Sequence, residues 1–400
     1  MRKKITFSAA LSAIFVAITV TFCLTMILSS RLFETKVSNV NEKEAMYSKL
    51  AEVDQIVRQH FYTKLDDAKL YDGLAGGYLS SLGDTDAKYY TAAEVNALQN
   101  LSKGKLVGIG VEISKDRESG YGKIVKVHGD SPANIAEIVK DDLIIAINDV
   151  DVFTLTSAQI RDMLIGEEGT AVKLKYRHEG EEKETELMYK VYDMPSIAYS
   201  LEETVGYIKA GRFTVKTASE MEYAVKSLIS QGATSFVLDL RFNKSKEFEY
   251  AAAVADMFVK EGTTMFAQYA DESKKVLFTS DKECVTQPIT VIVNNQTGYA
   301  GEMFAVILKD MSGAKFVGTQ TMGKCTIQTL YRMTDGSGLE FTTARLVPVT
   351  TPDYHGVGVM PDYEKLLDAD QELNFYDLTI TSDPQIQRAF EVARNQVTQQ

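Results

Sequence analysis

The chain has no tryptophan, seven prolines and only four histidines in 400 residues. His60, His128, His178 and His355 stand far apart, and none lies in an HExxH or CxxC setting, so the usual sequence signatures of a metal site are excluded. Cysteine is nearly as scarce. Cys23 falls inside an apolar N-terminal run, which leaves at most one disulfide, Cys284 to Cys325, and rules out a disulfide framework. Bases are in deficit as well: 43 Lys and Arg against 55 Asp and Glu give a formal charge of −12. Nucleic acid is not expected as a partner, because neutralising phosphates takes a basic face. Internal repeats and low-complexity runs are missing too.

What is present is enough for two or three globular domains: 45% apolar and 24% charged residues over this length. Residues 5–30 carry no charge and follow the basic start Met1-Arg-Lys-Lys4. A bilayer-crossing helix needs roughly 20 residues, and bases ahead of it hold the N-terminus in the cytoplasm. A cleaved signal peptide would have a shorter apolar region and a small-x-small site, which Leu28-Ser-Ser-Arg31 does not supply. The expectation is a cytoplasmic tail over 1–4, a transmembrane anchor over 5–30, and the bulk of the chain outside the cell membrane.

Hydrophobic spacing predicts helices over 39–62 and 68–82, with Gly83 ending the second, inside an N-terminal helical region spanning 31–100. Between 101 and 190 short β-patterned runs take over (109–113, 124–127, 143–147, 172–176), with two short helices at 133–138 and 157–164. From Val205 strands and helices alternate: 205–210, 219–231, 235–239, 248–258, 289–293 and 301–311. That order predicts an α/β layer with parallel pairing over 191–372, followed by a C-terminal helical segment over 373–400.

Residues 101–190 resemble a PDZ domain. The resemblance is carried by Leu106-Val-Gly-Ile-Gly-Val111, Val127-His-Gly-Asp-Ser-Pro-Ala133 and Asp141-Asp-Leu-Ile-Ile-Ala-Ile-Asn148. Gly108 and Gly110 would let backbone amides converge on a carboxylate, and the following strand would offer an open edge to a peptide. Leu106, Val107, Gly108, Ile109, Gly110 and Val111 are therefore the candidate peptide-binding residues.

The remaining matches run along residues 45–395: Tyr71-Asp-Gly-Leu-Ala-Gly-Gly77, Ser81-Leu-Gly-Asp84, Gly206-Tyr-Ile-Lys209, Leu238-Asp-Leu-Arg241, Val293-Asn294, Ala300-Gly-Glu302, Val317-Gly318, Met322-Gly-Lys-Cys-Thr-Ile-Gln328, Thr342-Thr-Ala-Arg345 and Gly356-Val-Gly-Val-Met-Pro-Asp362. With the PDZ-like insert they make the chain resemble the carboxyl-terminal processing (tail-specific) serine peptidases, whose α/β layer is crotonase-like and whose chemistry uses a Ser–Lys dyad. That resemblance implies Lys324 as the dyad base and Gln328, on the same strand face, as the residue that orients it. It places Tyr299 where the nucleophilic serine should stand. The oxyanion turn, Pro-Gly-Gly in the family, reads Lys244-Ser-Lys246 here, with Ser245 and Lys246 at the glycine positions.

Losing the nucleophile costs about six orders of magnitude in a serine protease. The resemblance thus implies a catalytically silent homologue that binds protein C-termini as a scaffold or regulator of an active protease partner. The alternative is an active endopeptidase with a non-standard nucleophile, for which Thr297 and Cys325 are the nearest candidates. Self-pairing through the N-terminal helices is a further expectation from the family. Gly318-Thr-Gln-Thr-Met-Gly-Lys-Cys325 imitates a Walker A motif but has cysteine where Ser or Thr would bind Mg²⁺, so no nucleotide and no other cofactor is expected.

Overall fold

A computed structural model describes residues 19–22, 24–26, 43–116, 118–281 and 285–398. The anchor expected over 5–30 lies almost entirely outside them, as do Cys23 and Cys284. Among the described residues no helix is long and apolar enough to cross a membrane.

The chain divides into two compact units, 1–74 and 75–400. In the first, a helix runs over 43–60 and leaves Met46, Leu50, Val53 and Ile56 exposed. Arg58 closes its end against Asp54 at 2.9 Å and Asp67 at 2.7 Å. The helix Asp67–Ser80 crosses the division, and Gly83 follows it with φ +72°.

In the second unit, strand Lys88–Tyr90 and helix Ala92–Ser102 precede the PDZ-like module. Its antiparallel sheet runs in the order Val111–Lys115, Gly122–Val127, Leu143–Ile147, Ala171–His178, Glu181–Met188. Alternation sends Ile113, Ile124, Ile144, Ile147, Val172 and Leu174 into one core, covered by helix Ser157–Met163 through Ile160. Strand Lys105–Gly108 pairs with Lys190–Asp193, so the module's entry and exit lie side by side. The single strand expected over 109–113 is in fact broken at Ile109 and Gly110, where Gly110 takes φ +79°.

Beyond it lies a six-stranded sheet in the order Ile197–Glu202, Val205–Ala210, Ser235–Asp239, Ile289–Val293, Lys315–Gly318, Tyr363–Glu364. Every pairing is parallel except the first. The strands read as continuous apolar runs because both faces are covered. Ile208, Phe236, Leu238, Val291, Val293 and Phe316 join the helices Thr217–Ser230, Phe248–Ala255 and Ala300–Ser312 in one core. Val205, Tyr207, Val237, Ile292 and Val317 meet the C-terminal helix Pro384–Thr398 in another. The alternating pattern also hid a second, antiparallel sheet that the sequence reading did not anticipate. It pairs Lys88–Tyr90, Gly338–Val347, Gly262–Tyr269 and Lys274–Ser280 in that order, and Thr326–Arg332 also pairs with Gly338–Val347.

A buried ionic knot ties the parallel sheet to the C-terminal helix. Arg241 donates to Asp239 at 2.6 Å, to Asp383 at 2.7 Å and to Gln385 at 2.9 Å, and Tyr207 donates to Asp239 at 2.8 Å. Asp383 also caps the helix, accepting from the amides of Gln385 and Ile386 at 2.8 and 3.1 Å. Asp383→Asn keeps an oxygen for the cap and removes only the charge. Breaking a buried pair costs about 3–5 kcal/mol, and Asp239 still faces Arg241 in the variant, so a loss of roughly 2 kcal/mol is expected from the shift in urea midpoint. A shift worth less than about 0.5 kcal/mol contradicts the knot's role.

Candidate active site and peptide groove

Helix Ala300–Ser312 starts from a sharp turn whose N-cap is Tyr299, at φ 52° and ψ −120°. That backbone region is strained for a residue with a side chain, costing of order 1–3 kcal/mol, and is typical of elbows that lift a nucleophile to the start of a helix. Tight packing enforces it. A Cβ on Gly301 would lie 2.5 Å from the Asn243 carbonyl oxygen, and the Gly298 amide donates to that same oxygen at 3.0 Å. The elbow therefore survives around a phenol.

The phenol is tied down. Tyr299 Oη donates to Asp86 Oδ1 at 2.7 Å, and the residue is 8% exposed. Burial first, then the hydrogen bond to Asp86, push the phenol well above its ordinary value, so it stays protonated. Lys324 Nζ donates to both oxygens of the same Asp86 at 2.8 Å. The ammonium of Lys246 lies 5.3 Å from the Tyr299 ring centroid and that of Lys324 5.8 Å. Asp86 thus bridges the elbow position and the dyad lysine, and sequence reasoning missed it. The only signal was its place two residues beyond the Gly83-Asp84 pair.

The expected link between Lys324 and Gln328 needs correction. Lys324 lies outside strand Thr326–Arg332, so the alternation that places Thr326 and Gln328 on one face does not extend to it. The Gln328 amide nitrogen donates to the hydroxyls of Thr326 and Thr342 at 2.9 and 3.1 Å instead. What positions Lys324 is Glu302, in the first turn of the elbow helix. Its buried carboxylate accepts from the amides of Gly323 and Lys324, each at 2.8 Å, and from the Thr321 hydroxyl. Burial pushes the Glu302 carboxyl up, against the pull of those donors.

The oxyanion turn is filled from within. The amide after an elbow nucleophile is the usual second oxyanion donor, but the Ala300 amide donates to the Ser245 carbonyl at 2.9 Å. The Lys246 amide donates to its neighbour's Glu247 carboxylate at 3.1 Å. Ser245 Oγ accepts from the Phe213 amide at 2.8 Å, and Lys246 Nζ is bound by Glu340, which also takes the Tyr90 hydroxyl at 3.0 Å. The turn's left-handed residue is Phe242, φ +64°, and neither Ser245 nor Lys246 adopts that region. Other nucleophiles are no better placed. The Thr297 hydroxyl donates to the Leu240 carbonyl at 2.9 Å, and the Cys325 thiol is buried, bonded to the Leu346 carbonyl and pushed up to about 12 by burial. A cleft of 680 Å³, lined by Asp84, Asp86, Lys324, Thr342 and His355, opens beside the elbow.

In the PDZ-like module Leu106, Val107 and Gly108 are paired to Tyr192, Val191 and Lys190. The Ile109 amide donates to the Leu164 carbonyl at 3.1 Å, and Gly108 bridges Ile165. Gly110 lies against Ser131, whose Cβ would be 2.1 Å from any side chain placed there. Of the six sequence-identified groove residues, Val111 alone lies in the sheet strand that faces helix Ser157–Met163. The other five form the loop and strand leading into it.

A parallel α/β layer bearing such an elbow, with a PDZ module ahead of it, defines a PDZ-containing peptidase fold. Residues 204–365 match peptidase family S41 and residues 107–188 match the PDZ domain. The carboxy-terminal processing protease CtpA of Bacillus subtilis is 30% identical over 341 residues, 82% of this chain and 72% of that protein. The chloroplastic carboxyl-terminal-processing peptidase 1 of Arabidopsis thaliana is 33% identical over 301 residues; the match covers 72% of this chain and 61% of the plant protein. A solved S41 protease of Bacteroides fragilis shares the fold at TM-score 0.57 and 17% identity, covering 86% of this chain and 97% of its own. The chain belongs to the carboxyl-terminal processing peptidases of family S41.

The shared carboxylate makes two testable statements. Tyr299→Phe removes one hydrogen bond and should cost about 1 kcal/mol, whereas Asp86→Ala strands both a phenol and an ammonium and should cost about 2 kcal/mol or more, measured by urea unfolding. Since the phenol is raised in the folded protein, its contribution is complete below pH about 10 and is lost as pH rises past that value. Tyr299→Phe should accordingly show a shallower loss of stability above pH 10 than the parent; identical alkaline limbs contradict the assignment.

Proposed function

We propose that this chain is a membrane-anchored, extracytoplasmic S41 homologue that does not hydrolyse peptide bonds and acts by binding the C-termini of exported or membrane proteins through its PDZ groove. It serves as a scaffold or regulator of an active protease. The observation that carries this reading is the Asp86 carboxylate, which holds a protonated Tyr299 phenol and the Lys324 ammonium together at the place of the dyad. Supporting it, the Ala300 and Lys246 amides are both spent on internal acceptors, so a tetrahedral oxygen meets no prepared donors. Anchorage rests on the uncharged run 5–30 behind three bases. Self-pairing through the helix over 43–60 draws on its exposed Met46, Leu50, Val53 and Ile56.

The test incubates the full chain with an unstructured protein bearing an apolar C-terminus. No cleavage is expected, and none is expected from Tyr299→Ser, because the new hydroxyl would still face a filled oxyanion turn. Cleavage by the parent that disappears in Lys324→Ala would overturn the reading in favour of an active endopeptidase. For the groove, a peptide with a free C-terminus should bind at least about tenfold more tightly than its amide, as a charge-assisted hydrogen bond is at stake. Equal affinities would remove carboxylate capture.

A further inference from the structure

The groove between strand Val111–Lys115 and helix Ser157–Met163 is not empty at its far end. Lys115 is the last residue of that strand, and its amide points away from the neighbouring strand Gly122–Val127. That amide donates to Asp377 Oδ1 at 2.6 Å. The Ser157 hydroxyl, 3% exposed at the start of the opposite helix, donates to both oxygens of Asp377 at 2.8 and 3.1 Å. Asp377 closes the short 3-10 turn Phe375–Asp377, and Arg161 of the groove helix lies over the next ring along, 4.4 Å from the Tyr376 centroid. A positive charge sits behind the site, for Lys115 Nζ reaches the carbonyls of Val152, Phe153 and Leu155 at 2.9, 2.8 and 2.7 Å. A cavity of 380 Å³ lies at this end, between Glu112, Ile113, Ser114 and Arg161 of the module and, on the other side, Arg241 and the segment 375–380 that carries Asp377.

One donor of this pair is the main chain at the edge where a peptide strand would add, and the other is a buried hydroxyl on the opposite wall. The occupant is a carboxylate. We propose that the Lys115–Ser157 end of the groove is a second, acid-selective subsite, which Asp377 fills in cis until the acidic side chain of a bound peptide replaces it. This rests on the reading of the groove as a C-terminus binder and names the class of peptide it takes: an apolar tail carrying a Glu or Asp about five residues before its end. The spacing follows from the strand. A peptide whose terminus lies at Gly110 and which runs antiparallel along Val111–Lys115 advances about 3.3 Å per residue, as its partner does. The amides available on that edge alternate, so Ile113 shares the outward face with Lys115 and the peptide is held between the two subsites. Asp377 is a competitor for the subsite, and its removal exposes both donors.

The experiment measures fluorescence anisotropy of the full chain with labelled ten-residue peptides. Each has a free apolar C-terminus and one Glu stepped from the third to the seventh position from the end, with Gln counterparts. At one step near the fifth, Glu should bind at least about fivefold more tightly than Gln, the size of a charge-assisted bond in partial competition. Ser157→Ala should shrink that ratio to below about twofold. Asp377→Ala, checked against Asp377→Asn and by circular dichroism for folding, should raise the affinity of every peptide while keeping the Glu preference. Peptides that bind with Glu and Gln equal at every step, in the parent and in both Asp377 variants, overturn the subsite and leave the C-terminus reading intact. A Glu preference that persists when the peptide ends in an amide supports the subsite and counts against carboxylate capture at the loop. Absence of any binding removes both.

Discussion

One carboxylate decides what this active-site architecture can do. Asp86 accepts from the Tyr299 phenol and from the Lys324 ammonium, all within 2.8 Å, in a place only partly open to solvent. A dyad lysine does its work as a free amine beside a hydroxyl whose proton it can take. Here the hydroxyl's proton is already directed at a carboxylate, and the amine is held as that carboxylate's counter-ion. The three groups satisfy one another. Replacing the aromatic ring by a smaller alcohol would leave the pairing of Asp86 with Lys324 standing, so the constraint lies in the carboxylate as much as in the tyrosine.

The scaffold around it has the shape that the family's chemistry uses. The elbow still holds a non-glycine residue in a strained conformation, and Glu302 still fixes the Gly323–Lys324 backbone through two 2.8 Å hydrogen bonds. Both features are also structural. Glu302 links the elbow helix to the segment leading into strand Thr326–Arg332, and Gly301 lets the helix start press on Asn243. Features that serve packing as well as the family's chemistry are present, whereas a hydroxymethyl group at position 299 and two unspent amides at the turn are not. Lys324 belongs to the first group because it neutralises Asp86.

The parallel layer was legible because strands buried on both faces are continuous apolar runs: Val205–Ala210, Ser235–Asp239 and Ile289–Val293 have the bounds that the pattern predicted. The antiparallel sheet was not. Gly262–Tyr269 mixes polar with apolar residues and Lys274–Ser280 opens on two lysines, which dilutes any period, and Gly338–Val347 joins Thr326–Arg332 to partners far away in sequence, Lys88–Tyr90 and Gly262–Tyr269. In the site, motif spacing located Tyr299, Lys324, Ser245 and Lys246, since each lies inside a contiguous block. It could not locate Asp86, which reaches Lys324 across 238 residues, and it misjudged Gln328, because Lys324 lies ahead of the strand along which the alternation runs. Contacts made by long-range folding carry no local signature.

The turn at Lys244–Lys246 is tied at both ends. Ser245, at its far end, is locked by the Ala300 and Phe213 amides, so that side cannot move without disturbing the elbow. At its near end Phe242 stands in the left-handed region, with its ring 4.6 Å from Phe375 and 5.9 Å from Tyr376, and Arg241 lies 4.7 Å from the Phe375 ring. The next residue along is Asp377, seated in the PDZ groove. Peptide groove and turn are therefore joined by a short aromatic stack and a single covalent step. Those rings pack against Phe242, so the segment that carries Asp377 and the turn share one contact surface.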